Sequence, residues 1–247
     1  MEKKYKLTKE TINVANRTLY RIEALRDFAN VKKGDKGGFI EKEENLSQDG
    51  NCWVYGNAKV CDKAMVYNNA KIYGDAIVGG NAKVCDNAIV YGNTTVSDNA
   101  RVYDNVVIYG NALIYSNAEV YDNAEVWGNA EVYDNAKVCG NTKVCDDVLV
   151  CDNAKVCGKA KVFGYAAICG DAVITSNSDY IVFKNWWSSG RYFTWTRSNN
   201  MWKVGCFRGT GKELIDKAYK DSEISGREYE RVVKYVESII ADDGKDK

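Results

Sequence analysis

The sequence contains no histidine and no proline, although it is 247 residues long. At average usage a chain of this length would carry about twelve prolines. Histidine is the commonest general base, the usual partner of nucleophilic Ser and Cys, and a frequent zinc ligand. We therefore expect no catalytic residue, no metal site and no bound cofactor.

An excess of one charge and long apolar runs are also missing. Lys and Arg number 34, as do Asp and Glu, so no net charge attracts duplex nucleic acid or an anionic membrane. The N-terminus leads into no apolar segment of the signal-peptide type, and no apolar run reaches the roughly eighteen residues of a membrane span. We expect a cytoplasmic protein without membrane or duplex nucleic acid partners.

A six-residue repeat organises the rest of the sequence. From Val54 to Val173 the chain reads as twenty hexads, VYGNAK, VCDKAM and so on to ICGDAV. The first position is always Val or Ile, and the fifth is Ala in sixteen hexads. The third is Gly in ten and Asp in eight, and the fourth is Asn in fourteen. Residues 42–53 continue the frame in a degenerate form.

Each hexad predicts one short strand followed by a corner. Residues two apart in a strand face the same side, so the fifth residue and the next first residue both point inward. Gly, Asp and Asn at the third and fourth positions suit a tight turn. Three hexads then close a triangular coil, and coils stack about 4.8 Å apart. We expect a mainly β fold of about seven coils, whose ladders exclude proline.

The residue after each inward Val or Ile points outward, and these residues sort into three faces at an eighteen-residue period. The first face is aromatic, and its candidate interface residues are Tyr55, Tyr73, Tyr91, Tyr109, Trp127 and Phe163. The second face mixes Cys and Tyr beside apolar residues, and the third mixes them beside charged ones. The first two faces each form a long, flat apolar strip, which indicates an oligomer or partner interface. The alternative is aromatic stacking that only stabilises the ladder.

Two pairs of cysteines are vertical neighbours in this arrangement, Cys139 with Cys157 and Cys151 with Cys169. Each pair is close enough for a disulfide or a soft-metal pair. No His and no CxxC motif completes a tetrahedral set. We interpret these cysteines as small apolar side chains in a reducing cytosol.

The repeat is flanked by two other segments. We predict an N-terminal β cap in residues 1–41, the repeat in residues 42–177, and a small C-terminal α+β domain in residues 178–247. Strands are predicted at 180–187, 191–197 and 201–207. Two helices follow, because Thr210 with Glu213 and Ser225 with Glu228 form capping boxes.

Residues 184–212 contain six basic side chains and no acidic one, interleaved with aromatic residues. Aromatic planes beside guanidinium groups suit a nucleotide or single-stranded nucleic acid. The candidate ligand-binding residues are Arg191, Trp195, Arg197, Trp202, Lys203, Arg208, Thr210 and Lys212. The alternative is a compact hydrophobic core with solvated charges.

The hexads, together with RIEALRDF at 21–28, GGFIEKEENL at 37–46 and GCFRGT at 205–210, resemble a group of phage and prophage hexapeptide-repeat proteins that are labelled transferases by fold. The resemblance implies a left-handed parallel β-helix, a homo-oligomer with a trimer favoured, and a location in an infected bacterial host. It implies no established activity.

Three functional classes remain open. Our main hypothesis is a non-catalytic counter-defence protein that sequesters a host nucleotide signal or blocks a host immune protein. The first alternative is acyl-CoA-dependent acyl transfer, the usual chemistry of hexapeptide-repeat enzymes, whose usual His base is missing from this sequence. The second alternative is a structural component of the virion.

Overall fold

Three parallel sheets dominate the computed structural model, which describes residues 2–243. Each hexad contributes a strand of two residues, and each strand pairs with the strands eighteen residues before and after it. Val90, for example, pairs with Ile72 and with Ile108. The parallel β-solenoid predicted from the repeat is confirmed.

The strands of the solenoid form three faces. The first face contains β4 (Trp53–Val54), β7 (Lys71–Ile72), β10 (Ile89–Val90), β13 (Val107–Ile108), β16 (Glu125–Val126), β19 (Lys143–Val144) and β22 (Lys161–Val162). The second contains β3 (Lys36–Ile40), β5 (Lys59–Val60), β8 (Ile77–Val78), β11 (Thr95–Val96), β14 (Leu113–Ile114), β17 (Glu131–Val132), β20 (Leu149–Val150) and β23 (Ala167–Ile168). The third contains β6 (Met65–Val66), β9 (Lys83–Val84), β12 (Arg101–Val102), β15 (Glu119–Val120), β18 (Lys137–Val138), β21 (Lys155–Val156) and β24 (Val173–Ile174).

The solenoid has about eight turns, one more than the hexads predict. The extra turn begins with β3, which pairs in parallel with β5, and continues through Leu46, which bridges Val66. Residues 42–53 of this turn follow the hexad frame in the degenerate form noted above, whereas residues 36–41 were assigned to the N-terminal cap. Strand pairing is the same for either hand of the coil, so the left hand stays a prediction from the family resemblance.

The interior is a column of small and branched side chains. The inward Val, Ile and Ala residues, such as Val90, Ala88 and Ile108, are fully buried. Burying one Val or Ile side chain contributes about 1.5–3 kcal/mol. Two threonines replace the inward Ala with different results. Thr94 Oγ1 donates to the Tyr91 carbonyl at 2.7 Å, whereas Thr142 Oγ1 has no partner within residues 2–243.

The corners explain the third position of the hexad. Every third-position residue has a positive φ, from 56° at Asp98 to 83° at Gly92. Gly adopts this conformation without steric cost, and Asp tolerates it. Asp also offers its carboxylate to the next turn, as Asp152 Oδ2 does when it accepts from the Gly170 N–H at 2.8 Å. Gly and Asp are therefore both suited to the corner at the third position of the hexad.

The fourth position forms side-chain ladders that the sequence analysis missed. Asparagine amides donate to asparagine or aspartate oxygens one turn higher, at 3.0–3.2 Å in the third ladder. The ladders run through Asn51, Asn69, Asn87, Asn105 and Asn123, through Asn81, Asn99, Asn117, Asn135 and Asn153, and through Asn93, Asn111, Asn129 and Asp147. One ladder therefore stabilises each edge of the triangular coil.

An antiparallel hairpin of β1 (Tyr5–Val14) and β2 (Arg17–Ala24) covers the N-terminal end, with β2 joined to β3. In a parallel solenoid the backbone N–H groups of each turn donate to the next turn, so the first turn is left with unpaired carbonyls. Lys4 Nζ donates to the carbonyls of Asp49 at 3.2 Å and Cys52 at 3.1 Å. Tyr5 Oη donates to the Leu46 carbonyl at 2.6 Å. Donor side chains therefore close this end.

The C-terminal domain contains an antiparallel sheet and two helices. The strands are β25 (Tyr180–Lys184), β26 (Tyr192–Thr196), β27 (Met201–Val204) and β28 (Phe207–Gly209), and the helices are α1 (Gly211–Asp221) and α2 (Glu223–Asp243). Four strands replace the three predicted, because the chain turns at Gly205 and Cys206 inside the run that we read as one strand. Two single-turn 3₁₀ segments complete the described elements, Glu43–Asn45 and Asn177–Asp179.

The two capping boxes have different outcomes. Thr210 caps α1 as predicted, because its Oγ1 accepts from the Glu213 N–H while Glu213 Oε2 accepts from the Thr210 N–H. The capping box predicted at Ser225 is wrong. Helix α2 begins two residues earlier, and the Ser222 hydroxyl accepts from the Ser225 N–H at 3.1 Å. Ser225 is therefore inside the first turn of α2.

Candidate functional site at the solenoid junction

The C-terminal sheet has two faces of different character, because side chains alternate along its strands. Phe193, Trp195 and Trp202 point toward the helices and form the core of the C-terminal domain. Tyr180 and Val182 point the other way and pack against the solenoid core. The sheet therefore separates the helices from the last turn of the solenoid.

Side-chain oxygens from this segment receive the free N–H groups of that last turn. Thr194 Oγ1 accepts from Ala167 N at 2.9 Å, Ser198 Oγ from Val173 N at 2.7 Å, and Asn177 Oδ1 from Lys161 N at 2.8 Å. One such bond falls on each face of the solenoid. Side-chain hydrogen-bond donors thus cap the first turn of the solenoid, and side-chain acceptors cap the last turn.

A cleft of about 340 Å³ opens where the sheet crosses the second face. We call it the junction cleft. Its lining residues come from the last two turns of the solenoid and from three segments of the C-terminal sheet: Asp147, Leu149, Tyr165, Ala167, Arg191, Tyr192, Lys203 and Gly205. The junction of two structural units is a common position for a ligand site.

Two positive charges and one negative charge line the junction cleft. Arg191 follows a turn in which Asn185 N donates to the Arg191 carbonyl at 2.7 Å, and Asn185 is itself held by Tyr229 of α2. Lys203 lies at the centre of β27, between Thr194 and Arg208 in the strand register. Opposite them, Asp147 Oδ1 accepts from Asn129 Nδ2 at 3.0 Å, at the end of its ladder.

A pair of tyrosines forms the aromatic wall of the junction cleft. The rings of Tyr165 and Tyr192 stack at 4.2 Å between centroids and 9° between planes. They are 51% and 38% exposed, so parts of both rings are accessible to a ligand, and Lys184 Nζ lies over the Tyr192 ring at 5.7 Å. A second groove of about 560 Å³ lies beyond them, lined also by Phe163 and Tyr180. The pair therefore separates two neighbouring depressions.

The predicted ligand residues divide into those in the cleft and those outside it. Arg191 and Lys203 line the cleft. The other predicted side chains lie elsewhere. Arg208 Nη1 pairs with Asp152 Oδ2 at 2.6 Å, and Thr210 caps α1. Lys212 is exposed on the first turn of α1.

The stacking role predicted for Trp195 and Trp202 does not fit their position. They are 1% and 2% exposed and belong to the core between sheet and helices. Trp195 Nε1 donates to Asn200 Oδ1 at 2.9 Å. Arg197 covers the Trp195 ring at 5.9 Å and donates to the Ser178 carbonyl. For these residues the structure matches the alternative of a compact core with solvated charges.

Sequence reasoning missed Asp147 and Tyr165 as cleft residues, although a signal was present. Both occupy the fourth hexad position, where fourteen hexads carry Asn. Asp171 occupies the same position one hexad later, and its Oδ1 accepts from Asn199 of the C-terminal domain at 3.1 Å. At these three positions a departure from Asn thus coincides with a place beside the C-terminal domain.

The first face carries the aromatic column that was predicted as an interface. Tyr55 stacks on Tyr73 at 4.2 Å, and Tyr109 stacks on Tyr91 at 5.0 Å and on Trp127 at 5.5 Å. Stacking along the ladder is therefore present, whether or not a partner covers this face. Phe163, 55% exposed, belongs to the groove beside the tyrosine pair. The interface stays a prediction.

The two cysteine pairs also differ. Cys151 and Cys169 form a disulfide between neighbouring turns, which corrects their interpretation as free apolar thiols. Cys139 and Cys157 are free. Burial raises the pKa of the Cys157 thiol.

Neither of the described helices contains the uncharged apolar stretch that crossing a bilayer requires. The fold, the repeat and the junction cleft together define a hexapeptide-repeat parallel β-solenoid protein with a capped C-terminal end. Known proteins agree with this class. Residues 82–98 and 96–110 match the family model described as the YdcK beta-solenoid repeat.

A 40-residue stretch of the chain is similar to a curated relative, the "Uncharacterized acetyltransferase YdcK" of Escherichia coli (strain K12). The two are 48% identical over this stretch, which is 16% of this chain and 12% of the relative. The match spans about an eighth of the relative's length. It therefore supports the repeat architecture, while activity is a separate question.

Proposed function

We propose that the junction cleft binds a phosphorylated nucleotide carrier and that the protein uses it as an acyl-CoA-dependent acyltransferase. The observation that carries the binding step is the pairing of Arg191 and Lys203 with the exposed Tyr165–Tyr192 stack in one cleft. Guanidinium and ammonium groups bind phosphate, and tyrosine faces stack on a nucleobase. Coenzyme A carries both chemical groups. The name of the Escherichia coli relative, an acetyltransferase, supports the choice of an acyl thioester.

Asp147 is our candidate for the group that accepts a proton from the acyl acceptor. It is the carboxylate among the cleft residues, and Asn129 fixes its orientation. The sequence contains no His that could take this role. A positioned carboxylate can act as a general base when it lies within hydrogen-bond reach of the attacking group. Asp147→Asn should therefore keep coenzyme A binding and lose acyl transfer.

A second candidate function shares the same cleft. The absence of His also fits a protein that retains a nucleotide without transforming it, which is the counter-defence hypothesis. The matched repeat segments do not bear on phage origin, on a host immune partner or on a virion role, so these stay predictions. So do the cytoplasmic location and the trimer.

The experiment is a ligand panel followed by analysis of the released ligand. The protein is incubated with acetyl-CoA, ADP-ribose and a cyclic oligonucleotide, washed, and heated to release what it holds. Acetyl-CoA is supplied with a primary amine as acyl acceptor, and recovery of free coenzyme A with an equal amount of acetylated amine, or of acetate where water is the acceptor, supports acyl transfer when Asp147→Asn yields neither. Intact ligand supports retention. If no phosphorylated ligand is retained, the proposed binding site is wrong.

A further inference from the structure

The Cys151–Cys169 pair lies beside a carboxylate whose neighbours fix its position. Cys151 follows β20 and Cys169 follows β23, whose Val150 and Ile168 are partners in the ladder. The two side chains are 4% and 5% exposed. Asp152 follows Cys151 directly, and its Oδ2 accepts from Gly170 N and from Arg208 Nη1. One ligand atom from each of Cys151, Asp152 and Cys169 falls within 4.8 Å of the other two.

We propose that the reduced form of this pair, together with Asp152, binds a thiophilic divalent cation of the Zn²⁺ class. Thiolates select zinc over the hard cations, and three protein ligands with an open fourth position are a common zinc arrangement. The site is separate from the junction cleft, whose lining contains none of these residues. Its failure would leave the proposed acyltransferase function untouched.

The disulfide makes this site dependent on redox state. A dithiol reductant supplies two electrons and two protons, the S–S bond breaks to two thiols, and the reductant becomes a disulfide. The metal then displaces the two thiol protons as it binds. In the oxidised form neither sulfur is available as a thiolate, so the cation does not bind. The cytosol we expect for this protein would favour the reduced form.

Arg208 connects the site to the C-terminal domain. Its guanidinium extends from β28 to Asp152 and forms an ion pair with the carboxylate. The cation needs the same carboxylate as a ligand. Cation and guanidinium therefore compete for Asp152. Metal binding should weaken the Arg208–Asp152 ion pair, and removal of Arg208 should tighten metal binding.

The chain provides a matched control in Cys139 and Cys157. These cysteines follow Val138 and Val156, which are partners in the ladder of the third face, so they are also one turn apart. Their corners carry Gly140 and Gly158, whereas Asp152 follows Cys151. The control pair thus has the two thiols without the adjacent carboxylate.

The test is a titration of the full chain with Cd²⁺ alone, followed by competition with Zn²⁺. The protein is reduced with a phosphine, and binding is read from the ultraviolet thiolate-to-cadmium absorption. We expect one tight site in the reduced protein and none in the oxidised protein. Affinity should fall at least tenfold in Cys151→Ser and in Cys169→Ser, fall less in Asp152→Asn, and stay unchanged in the Cys139→Ser/Cys157→Ser control.

Arg208→Gln keeps the proposal falsifiable if the buried cysteine variants fail to fold. Arg208 is exposed, and its replacement should raise Cd²⁺ affinity severalfold while the circular dichroism spectrum stays the same. Unchanged affinity in Arg208→Gln would contradict the competition for Asp152. Equal loss in the control pair and in the Cys151–Cys169 variants would overturn the site.

Discussion

At the scale of the residue, Lys4 is the most unusual side chain of the fold. It is fully buried, yet it carries an amino group that donates to backbone carbonyls of the first turn and lies 3.2 Å from Cys52 Sγ. Burial lowers the pKa of Lys4 below its usual value, and the nearby Cys52 opposes this shift. The position thus combines a structural need for donors with a desolvation cost for the charge.

The lowered pKa of Lys4 predicts a pH-dependent stability. Because the folded chain releases the Lys4 proton at a lower pH than the unfolded chain, which releases it near 10.5, the Lys4 contribution to the unfolding free energy rises with pH in that window. We expect Lys4→Met to lose this rise. The measurement is denaturant unfolding of both proteins between about pH 8 and pH 9.5, below the range of ordinary tyrosine ionisation. Parallel pH profiles of the two proteins would show that Lys4 does not cause the rise.

The two inward threonines give a second prediction. Thr142→Ala removes a buried hydroxyl that has no partner in the described residues and restores the Ala of most hexads. We expect the free energy of unfolding to rise by about 1 kcal/mol. Thr94→Ala is the matched control, because it removes a hydroxyl that is bonded to Tyr91 and should give no gain. Equal effects in the two variants, measured by urea unfolding, would refute the explanation.

At the scale of the element, the N-terminus of α2 shows how a local motif can be misread. Ser225, Gly226, Arg227 and Glu228 have the spacing of a capping box, but Ser222 caps the helix. Ser222→Ala should cost about 1 kcal/mol of stability. Ser225→Ala, at the N-cap predicted from the sequence, should change stability by less than about 0.5 kcal/mol. Thermal unfolding of the two variants tests the assignment, and the reverse order would contradict it.

The strands and corners of the solenoid could be predicted because the inward apolar residues and the turn residues of each hexad indicate the same unit of one strand and one corner. Val or Ile and Ala point inward, and Gly or Asp takes the positive φ of every corner except those at Asn68 and Ser116. The fourth strand of the C-terminal sheet could not be predicted, because the turn at Gly205 and Cys206 sits inside a continuous run of strand-forming residues. Local propensity does not reveal where such a run folds back.

At the scale of the whole molecule, the direction of the parallel ladder decides what each end needs. The first turn offers carbonyls and receives donors from Lys4 and Tyr5. The last turn offers N–H groups and receives oxygens from Asn177, Thr194 and Ser198. The C-terminal segment that supplies these oxygens also supplies Arg191 and Lys203 to the junction cleft. The same C-terminal segment therefore both caps the last turn of the solenoid and forms one side of the junction cleft.

Two of the eight residues that line the junction cleft could be predicted from the sequence. The aromatic and basic composition pointed to Arg191 and Lys203, whereas Trp195 and Trp202 share that composition and lie in the core. Composition does not distinguish the two faces of a strand until its register is known. Asp147 and Tyr165 are distant in sequence from this segment, and only the fold brings them to it.

The aromatic first face predicts the oligomeric state. If a second and a third copy cover it, wild-type protein should be a trimer in size-exclusion chromatography with light scattering. Tyr91→Glu/Tyr109→Glu should then be monomeric, because two charges would be buried in the interface. The control is Tyr103→Glu/Tyr121→Glu, a stacked pair of the third face. A monomeric wild type would refute the interface.

The proposed function requires that the junction cleft bind a phosphorylated carrier through Arg191 and Lys203. Isothermal titration of acetyl-CoA tests it most directly, with Arg191→Glu/Lys203→Glu as the variant and Arg231→Glu/Lys234→Glu on α2 as the control of equal charge change. We expect saturable binding to wild type and control, weakened with added salt, and at least a tenfold loss of affinity in the cleft variant. Equal affinity in cleft and control variants would contradict it.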